Sequence, residues 1–210
     1  MTAPPRPHGP GSSRSAWAPA FLLFALPVAA ATYEVGPGQG LASAGDVPWE
    51  SLAAGDTVLI HWRAAPYTNK WVICRQGAAD APITVRGVPG PGGELPVIDG
   101  NGATTRSALN DWNQPRGMVK IGGASVPPDT TPRFITLENL DLRSARPPYR
   151  YTAANGTTED YPNNAASLYV EKGEHITIRN CLLHDLSQHR RLDAFRQHHP
   201  VPAVHRRRAL

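Results

Sequence analysis

The sequence predicts an all-β fold made of stacked, repeating coils, and three observations lead there. Glycine (19) and proline (22) are abundant in the 210 residues while aromatic residues make up only 7%, a balance that favours turn-rich β structure over helix. Short β-branched and apolar runs alternate with clusters of Gly, Pro, Asn and Asp. They include Thr57 to Trp62, Trp71 to Cys74, Ile83 to Val88, Val97 to Ile98, Met118 to Ile121, Phe134 to Leu142 and Ser167 to Leu183, the pattern of strands between turns. The third observation is an internal repeat, the mark of stacked architectures.

The repeat is I-T-aliphatic-x-Gly/Asn. It occurs as Ile83-Thr84-Val85-Arg86-Gly87, Ile135-Thr136-Leu137-Glu138-Asn139 and Ile176-Thr177-Ile178-Arg179-Asn180, at offsets of 52 and 41 residues. A weaker element precedes each: Val72-Ile73-Cys74, Val119-Lys120-Ile121 and Leu168-Tyr169-Val170, each followed within a few residues by glycine. A coil therefore reads as strand, Gly turn, strand. Aliphatic residues alternate with Thr, Arg or Glu, so one side of each strand is apolar and the other polar. Such a strand cannot bury its apolar side alone; stacking coils in register removes that side from water.

Each part of the chain then has an expected place. Thr32 to Gly45 is Gly-rich and expected to be irregular. Gly36-Pro37-Gly38-Gln39-Gly40 reads as a flexible segment and not a phosphate loop, because no strand precedes it and no helix begins directly after it. Pro48 to Ala54 reads as one short capping helix, with Pro in its first turn and Gly55 at its stop. The surplus length of the coils falls in Gly102 to Pro115 and Arg146 to Asn164, expected to be turn-forming insertions. Arg86, Glu138 and Arg179 hold one repeat position, which predicts a column of alternating charge on a solvated outer face. Asn139 and Asn180 suit an asparagine ladder at the turn. Cys74 and Cys181 lie two coils apart, too far for a disulfide.

Ala81-Pro82-Ile83-Thr84-Val85-Arg86-Gly87, Val97-Ile98-Asp99-Gly100 and Phe134-Ile135-Thr136-Leu137-Glu138-Asn139-Leu140 resemble the opening coils of pectate-lyase-like proteins. Leu52-x-x-Gly55-Asp56-Thr57-Val58 resembles the lead-in to their first coil. The resemblance covers roughly residues 33 to 185. It implies a right-handed parallel β-helix, of which this chain would hold only the N-terminal coils. It also implies action on, or binding of, extracellular and acidic polysaccharide. That superfamily includes lyases and hydrolases together with many members of unassigned activity, so the fold does not fix the chemistry. The alternative is a non-catalytic carbohydrate-binding or surface-structural β-helix, or an inactive fragment.

Charge and leader patterns bound the remaining classes. Residues 1–31 carry Arg6 and Arg14 and no acid, then an apolar stretch from Ala16 to Val28 and Ala29-Ala30-Ala31, the layout of a signal peptide cut near Ala31. Pro19 and Pro27 interrupt the stretch, which is shorter than the ~20 residues a bilayer requires, so export without a stable anchor is expected. The body, 32–187, carries 13 Lys and Arg against 16 Asp and Glu, whereas 188–210 carries six Arg against one Asp. The basic excess thus lies in the leader and the tail, which argues against nucleic-acid binding by the body. The tail lacks any strand pattern and reads as disordered, or as an artefact of a shifted reading frame. A monomeric, extracellular protein is expected, with a periplasmic or cell-surface location also compatible.

Candidate site residues are few. Two cysteines without C-x-x-C spacing, and His184 and His189 loosely spaced, give no zinc or redox site. Uronate lyases abstract a proton beside a carboxylate and need a cation, often calcium, with a basic residue; calcium is expected only on that reading. Lys120 and Arg143 are the basic candidates, while Trp112, Tyr149 and Tyr151, in or beside the insertions, could stack on sugar rings. Tyr161 shares that setting. Asn155-Gly156-Thr157 matches a glycosylation acceptor, relevant only in a eukaryotic secretory pathway.

Overall fold

The computed structural model describes residues 29–111 and 114–184. Most of the predicted leader, all of the 188–210 tail, and Trp112 lie outside the described residues. In chain order the strands are β1 (Thr32–Val35), β2 (Thr57–His61), β3 (Asn69–Ile73), β4 (Ile83–Val88), β5 (Val97–Asp99), β6 (Ala103–Thr105), β7 (Asn110–Asp111) and β8 (Gly117–Ile121). There follow β9 (Ala124–Val126), β10 (Arg133–Glu138), β11 (Asp141–Arg143), β12 (Arg150–Thr152), β13 (Thr158–Asp160), β14 (Ala166–Val170), β15 (Glu174–Arg179) and β16 (Leu182–Leu183). The fold is all-β and mostly parallel. Among the described strands, antiparallel pairing is confined to β12 with β13 and β7 with β9, beside an isolated antiparallel bridge between Ser125 and Pro128.

The three I-T motifs pair with one another in the predicted register. One sheet runs β1-β2-β4-β10-β15, aligning Ile83 with Ile135 and Ile176, and Thr84 with Thr136 and Thr177. Its inward columns form the core: Ile83, Val85 and Leu137 are wholly buried and Ile135 nearly so, each contributing about 1.5–3 kcal/mol. A second sheet runs β16-β11-β5 and a third β13-β12-β6-β3-β8-β14. Within the third, Asn69 and Lys70 of β3 face Thr104 and Thr105 of β6, and the next residues, Trp71 to Ile73, face Val119 to Ile121 of β8. β6 and β8 therefore follow one another along β3. β12 and β14 do the same along β6 and β8.

Several expectations require correction. Thr32 to Gly45 is not irregular: β1 pairs in parallel with β2 from Thr32 to Val35, and Gly36 to Gly40 form a hydrogen-bonded turn closed by Gly36 N–H to Leu41 O at 2.8 Å. The capping helix expected over Pro48 to Ala54 is one 3-10 turn, Trp49–Ser51, and a second 3-10 turn, Ala44–Asp46, precedes it. Trp49 is buried and stacks on Trp71 at 4.6 Å. The insertions are not merely turns, for they contain β6, β7, β12 and β13. The weaker repeat element is displaced by one residue, Trp71 rather than Val72 pairing with Val119. Lys70 to Ile73 and Gly117 to Ile121 are buried on both faces, so alternation there gives no parity signal. Asn139 and Asn180 take positive φ of 57° and 52°, ending their strands as expected of asparagine. Gly87 instead continues β4. Cys74 and Cys181 are both free thiols, and burial pushes the Cys74 thiol up to about 11.

The charged column forms, but its centre is not solvated. Glu138 pairs in register with Arg86 and Arg179 and receives a hydrogen bond from the Nε of each. Its side chain is 5% exposed while those of Arg86 and Arg179 are 48% and 57% exposed. Burial alone would raise the Glu138 carboxyl; the hydrogen bonds from Arg179 and Arg86, with their charges, outweigh it and hold the group below the usual carboxylate range. A carboxylate depressed in the folded state stabilises the fold above the unfolded value of about 4.3, and that contribution is lost as pH falls through the lower folded value. Glu138→Gln should lower stability by about 1–3 kcal/mol near neutral pH and flatten the acid limb of stability against pH. Urea unfolding at about pH 7 and about pH 4 measures both; an unchanged acid slope would contradict the assignment.

Gly87 reports on the stacking itself. A Cβ there would collide with the Asn139 carbonyl oxygen of the next repeat. Gly87→Ala should cost at least about 2 kcal/mol, whereas Gly40→Ala, where a Cβ meets nothing within 4 Å, should stay within about 0.5 kcal/mol. Equal thermal shifts in the two variants would argue against close contact between the repeats at Gly87.

Candidate functional site

Two loops leave the third sheet at equivalent points and come together. The first runs from Arg106 to Arg116, between β6 and β8; the second runs from Ala153 to Ala165, between β12 and β14, and carries β13. Because β12 lies on β6 and β14 on β8, the second loop stacks on the first. Gln114 ties them: its Nε2 donates to Asn110 Oδ1 at 3.0 Å and its Oε1 accepts from Ala154 N–H at 3.4 Å. Between them is an open cleft of about 500 Å³, lined on one side by Ser107, Leu109, Asn110, Gln114 and Pro115 and on the other by Ala153, Ala154, Asn155 and Glu159.

A buried cation supports the cleft from beneath. Lys70 is 2% exposed; its ammonium donates to the Gln114 carbonyl at 2.7 Å and to the Gly117 carbonyl. It also lies 4.4 Å from the Tyr151 ring centre and 5.5 Å from that of Tyr161, within cation–π range. Tyr151 OH donates to Glu159 Oε2 at 2.5 Å, holding that carboxylate at the cleft wall. Tyr161 OH donates to the Gly100 carbonyl at 3.2 Å, and burial pushes its hydroxyl well above the usual range. Asn155 Oδ1 accepts from Thr157 N–H at 3.0 Å and lies 2.7 Å from Thr157 Oγ, which fixes the hairpin tip as an Asx turn.

A second cleft, of about 310 Å³, adjoins the first at Ser107 and is lined by Ser43, Gly45, Asp46, Asn69 and the run Thr104 to Ser107. Ser43 caps the first 3-10 turn: its Oγ accepts from Gly45 N–H at 3.3 Å and donates to Asn69 Oδ1 at 2.7 Å. Arg106 reaches across with a forked pair to Glu50, both contacts at 2.7 Å, and a third hydrogen bond to the Gly45 carbonyl at 2.9 Å. The hydrogen bond from Arg106 holds the Glu50 carboxyl below its usual range, against the opposing effect of burial.

The sequence candidates do not gather at one place. Tyr151 lies beneath the cleft, 1% exposed with its ring against Tyr161, so its face is not open to a sugar. Tyr149 is partly buried against the core. Lys120, expected on a solvated face, is 1% exposed on β8, its Nζ 3.9 Å from Glu171. Arg143 pairs with Asp99 at 3.0 Å on the second sheet. Trp112 belongs to the first loop but lies outside the described residues. Of the polar residues that line the two clefts, Arg106, Asn110, Gln114, Asn155 and Glu159 were signalled only by the surplus length of the two insertions, and Asn69, on β3, by nothing in the sequence. Among the described residues no three His, Cys, Asp or Glu side chains cluster to hold a metal ion.

The Arg106–Glu50 fork is what joins the first loop to the N-terminal turns. Arg106→Ala should destabilise by about 1–3 kcal/mol, and Arg106→Lys should not restore the loss because an ammonium cannot form the planar fork. A double-mutant cycle with Glu50→Gln should return a coupling of about 0.5–3 kcal/mol; additive effects would show that the two side chains act independently. Set against known proteins, the chain matches no family model, no curated protein and no solved structure.

Proposed function

We propose that the three sheets are the faces of a right-handed parallel β-helix and that this exported protein binds extracellular polysaccharide in the cleft between its stacked loops. The winding is supported by the recurrent order of strands, one from each sheet in turn, and by the parallel in-register pairing of each with its equivalent one repeat later. Binding is supported above all by the composition of the cleft. Hydroxyl, amide and backbone groups line it with small apolar surfaces, the combination that recognises a sugar's hydroxyls and its C–H faces.

The same composition favours binding over cleavage. Hydrolysis of a glycosidic bond ordinarily uses two carboxyl groups flanking it, and Glu159 is the one carboxylate among the described lining residues. A lyase acting on acidic polysaccharide requires a cation and a base against the uronate, and the described lining of the first cleft includes no Lys, Arg or His.

Affinity electrophoresis against neutral and acidic polysaccharides, with parallel assays for unsaturated ends and reducing sugar, tests this. Retardation by at least one polysaccharide without product is the expected result, and Asn155→Ala with Gln114→Ala should weaken it. Release of unsaturated or reducing ends would move the assignment to catalysis, and no retardation by any polysaccharide would remove it.

A further inference from the structure

We infer that the two clefts are one groove, running along the stacking direction, and that its ligand is a linear, uncharged glycan. This deepens the polysaccharide-binding reading and rests on it. The clefts share Ser107, an exposed residue at their junction. The groove therefore passes from the Ala44–Asp46 turn, over β3 and β6, to the loop that follows β12. Its direction is set by register: Asn69 and Thr104, which pair with each other, both line the second cleft, and Thr104 pairs in turn with Thr152, next to Ala153 of the first cleft, so one polar side chain recurs at each strand. Neighbouring strands lie ~4.8 Å apart, and an extended pyranose chain advances by a similar amount per unit. A linear glycan along the stack thus meets an equivalent polar group at each successive sugar.

The charge of the groove decides between glycan classes. Arg106 is neutralised by Glu50 at 2.7 Å, while Asp46 and Glu159 contribute negative charge. Elsewhere on the molecule several exposed cations are paired in the same way: Arg86 and Arg179 share Glu138, Arg143 faces Asp99, Arg150 faces Asp160 and Lys172 faces Asp129. The cations nearest the groove are already engaged, Arg106 with Glu50 and buried Lys70 with the Gln114 and Gly117 carbonyls and two tyrosine rings, so a polyuronate laid in it would bring carboxylates against the Asp46 and Glu159 carboxylates, which disfavours it. Hydroxyls of an uncharged chain can donate to those same carboxylates and to the amide oxygens. The acidic substrate implied by the family resemblance is therefore replaced by an uncharged one.

Calorimetric titration of the full chain with neutral β-glucan and xylan oligomers of increasing length, beside oligogalacturonates of matched length, tests both parts. Affinity for a neutral series should rise by on the order of tenfold as the oligomer grows to span both clefts, then level off. Ser107→Trp, which fills the junction, should abolish that gain while sparing the shortest binding oligomers. Thr104→Trp raises the exposed floor of the second cleft and should do the same, should the first variant fail to fold. Affinity indifferent to length and to both substitutions would overturn the joined groove while leaving a one-cleft glycan site in place. Tighter binding of oligogalacturonates would overturn the uncharged ligand, and no binding of any oligomer would overturn the underlying reading as well.

Discussion

Parallel pairing in a constant register places each side chain directly against its equivalent one repeat later, and the rest of the molecule depends on that constraint. Strands about 4.8 Å apart leave no room for a column to mix sizes or charges freely. The inward columns are accordingly aliphatic throughout, with Ile83 on Ile135 on Ile176 and Val85 on Leu137 on Ile178. The outward ones are threonine on threonine, or charges of alternating sign. Like charges stacked directly would repel at every step; Arg86, Glu138 and Arg179 avoid this by alternation. One carboxylate is shared between two guanidiniums, and it is buried while they remain about half exposed.

The same constraint decides where variation can enter. An insertion inside a column would shift every residue after it, so surplus sequence has to leave and return at one point. Thr105 and Val119 are such a pair, since their partners on β3, Lys70 and Trp71, are consecutive. The next repeat departs at Thr152 and returns at Ala166, above the same place. Two loops far apart in sequence are thereby brought together without either needing structure of its own beyond a short hairpin. A polar cleft can form there while the core beneath remains aliphatic.

This division explains what could be read from the sequence. The I-T strands were legible because Ile and Thr alternate with a period of two and recur, and Ile83 to Val88 is a strand over that whole span. Phe134 to Leu142 reads as one run but is two strands, since Asn139 adopts a φ of 57° and turns the chain onto another sheet. Thr32 to Val35 escaped notice because four residues beside a Gly-rich turn carry too little pattern. The strands β6 and β12, three residues each, look like turn sequence and owe their conformation to the neighbouring strand. Site residues were the least legible. Lys70 to Gln114, Ala154 to Gln114 and Arg106 to Glu50 are separated by 44, 40 and 56 positions, and no local pattern of polar residues announces such a meeting.

Lys70 shows how the groove is made rigid despite being built on loops. An ammonium removed from water is costly unless its donors are met, and here two carbonyls, Gln114 and Gly117, accept from it while the rings of Tyr151 and Tyr161 supply their faces. Gln114 belongs to the first loop and Gly117 opens β8 at its end, and the rings belong to the strand and loop of the next repeat. One side chain, fixed in the sheet below, therefore fastens both walls of the cleft at once. Tyr151 passes the constraint outward by holding Glu159 at 2.5 Å. A polar group at the mouth of the cleft is thus positioned through a chain of contacts that begins in a paired strand, and side chains held in this way have little conformational freedom left to lose.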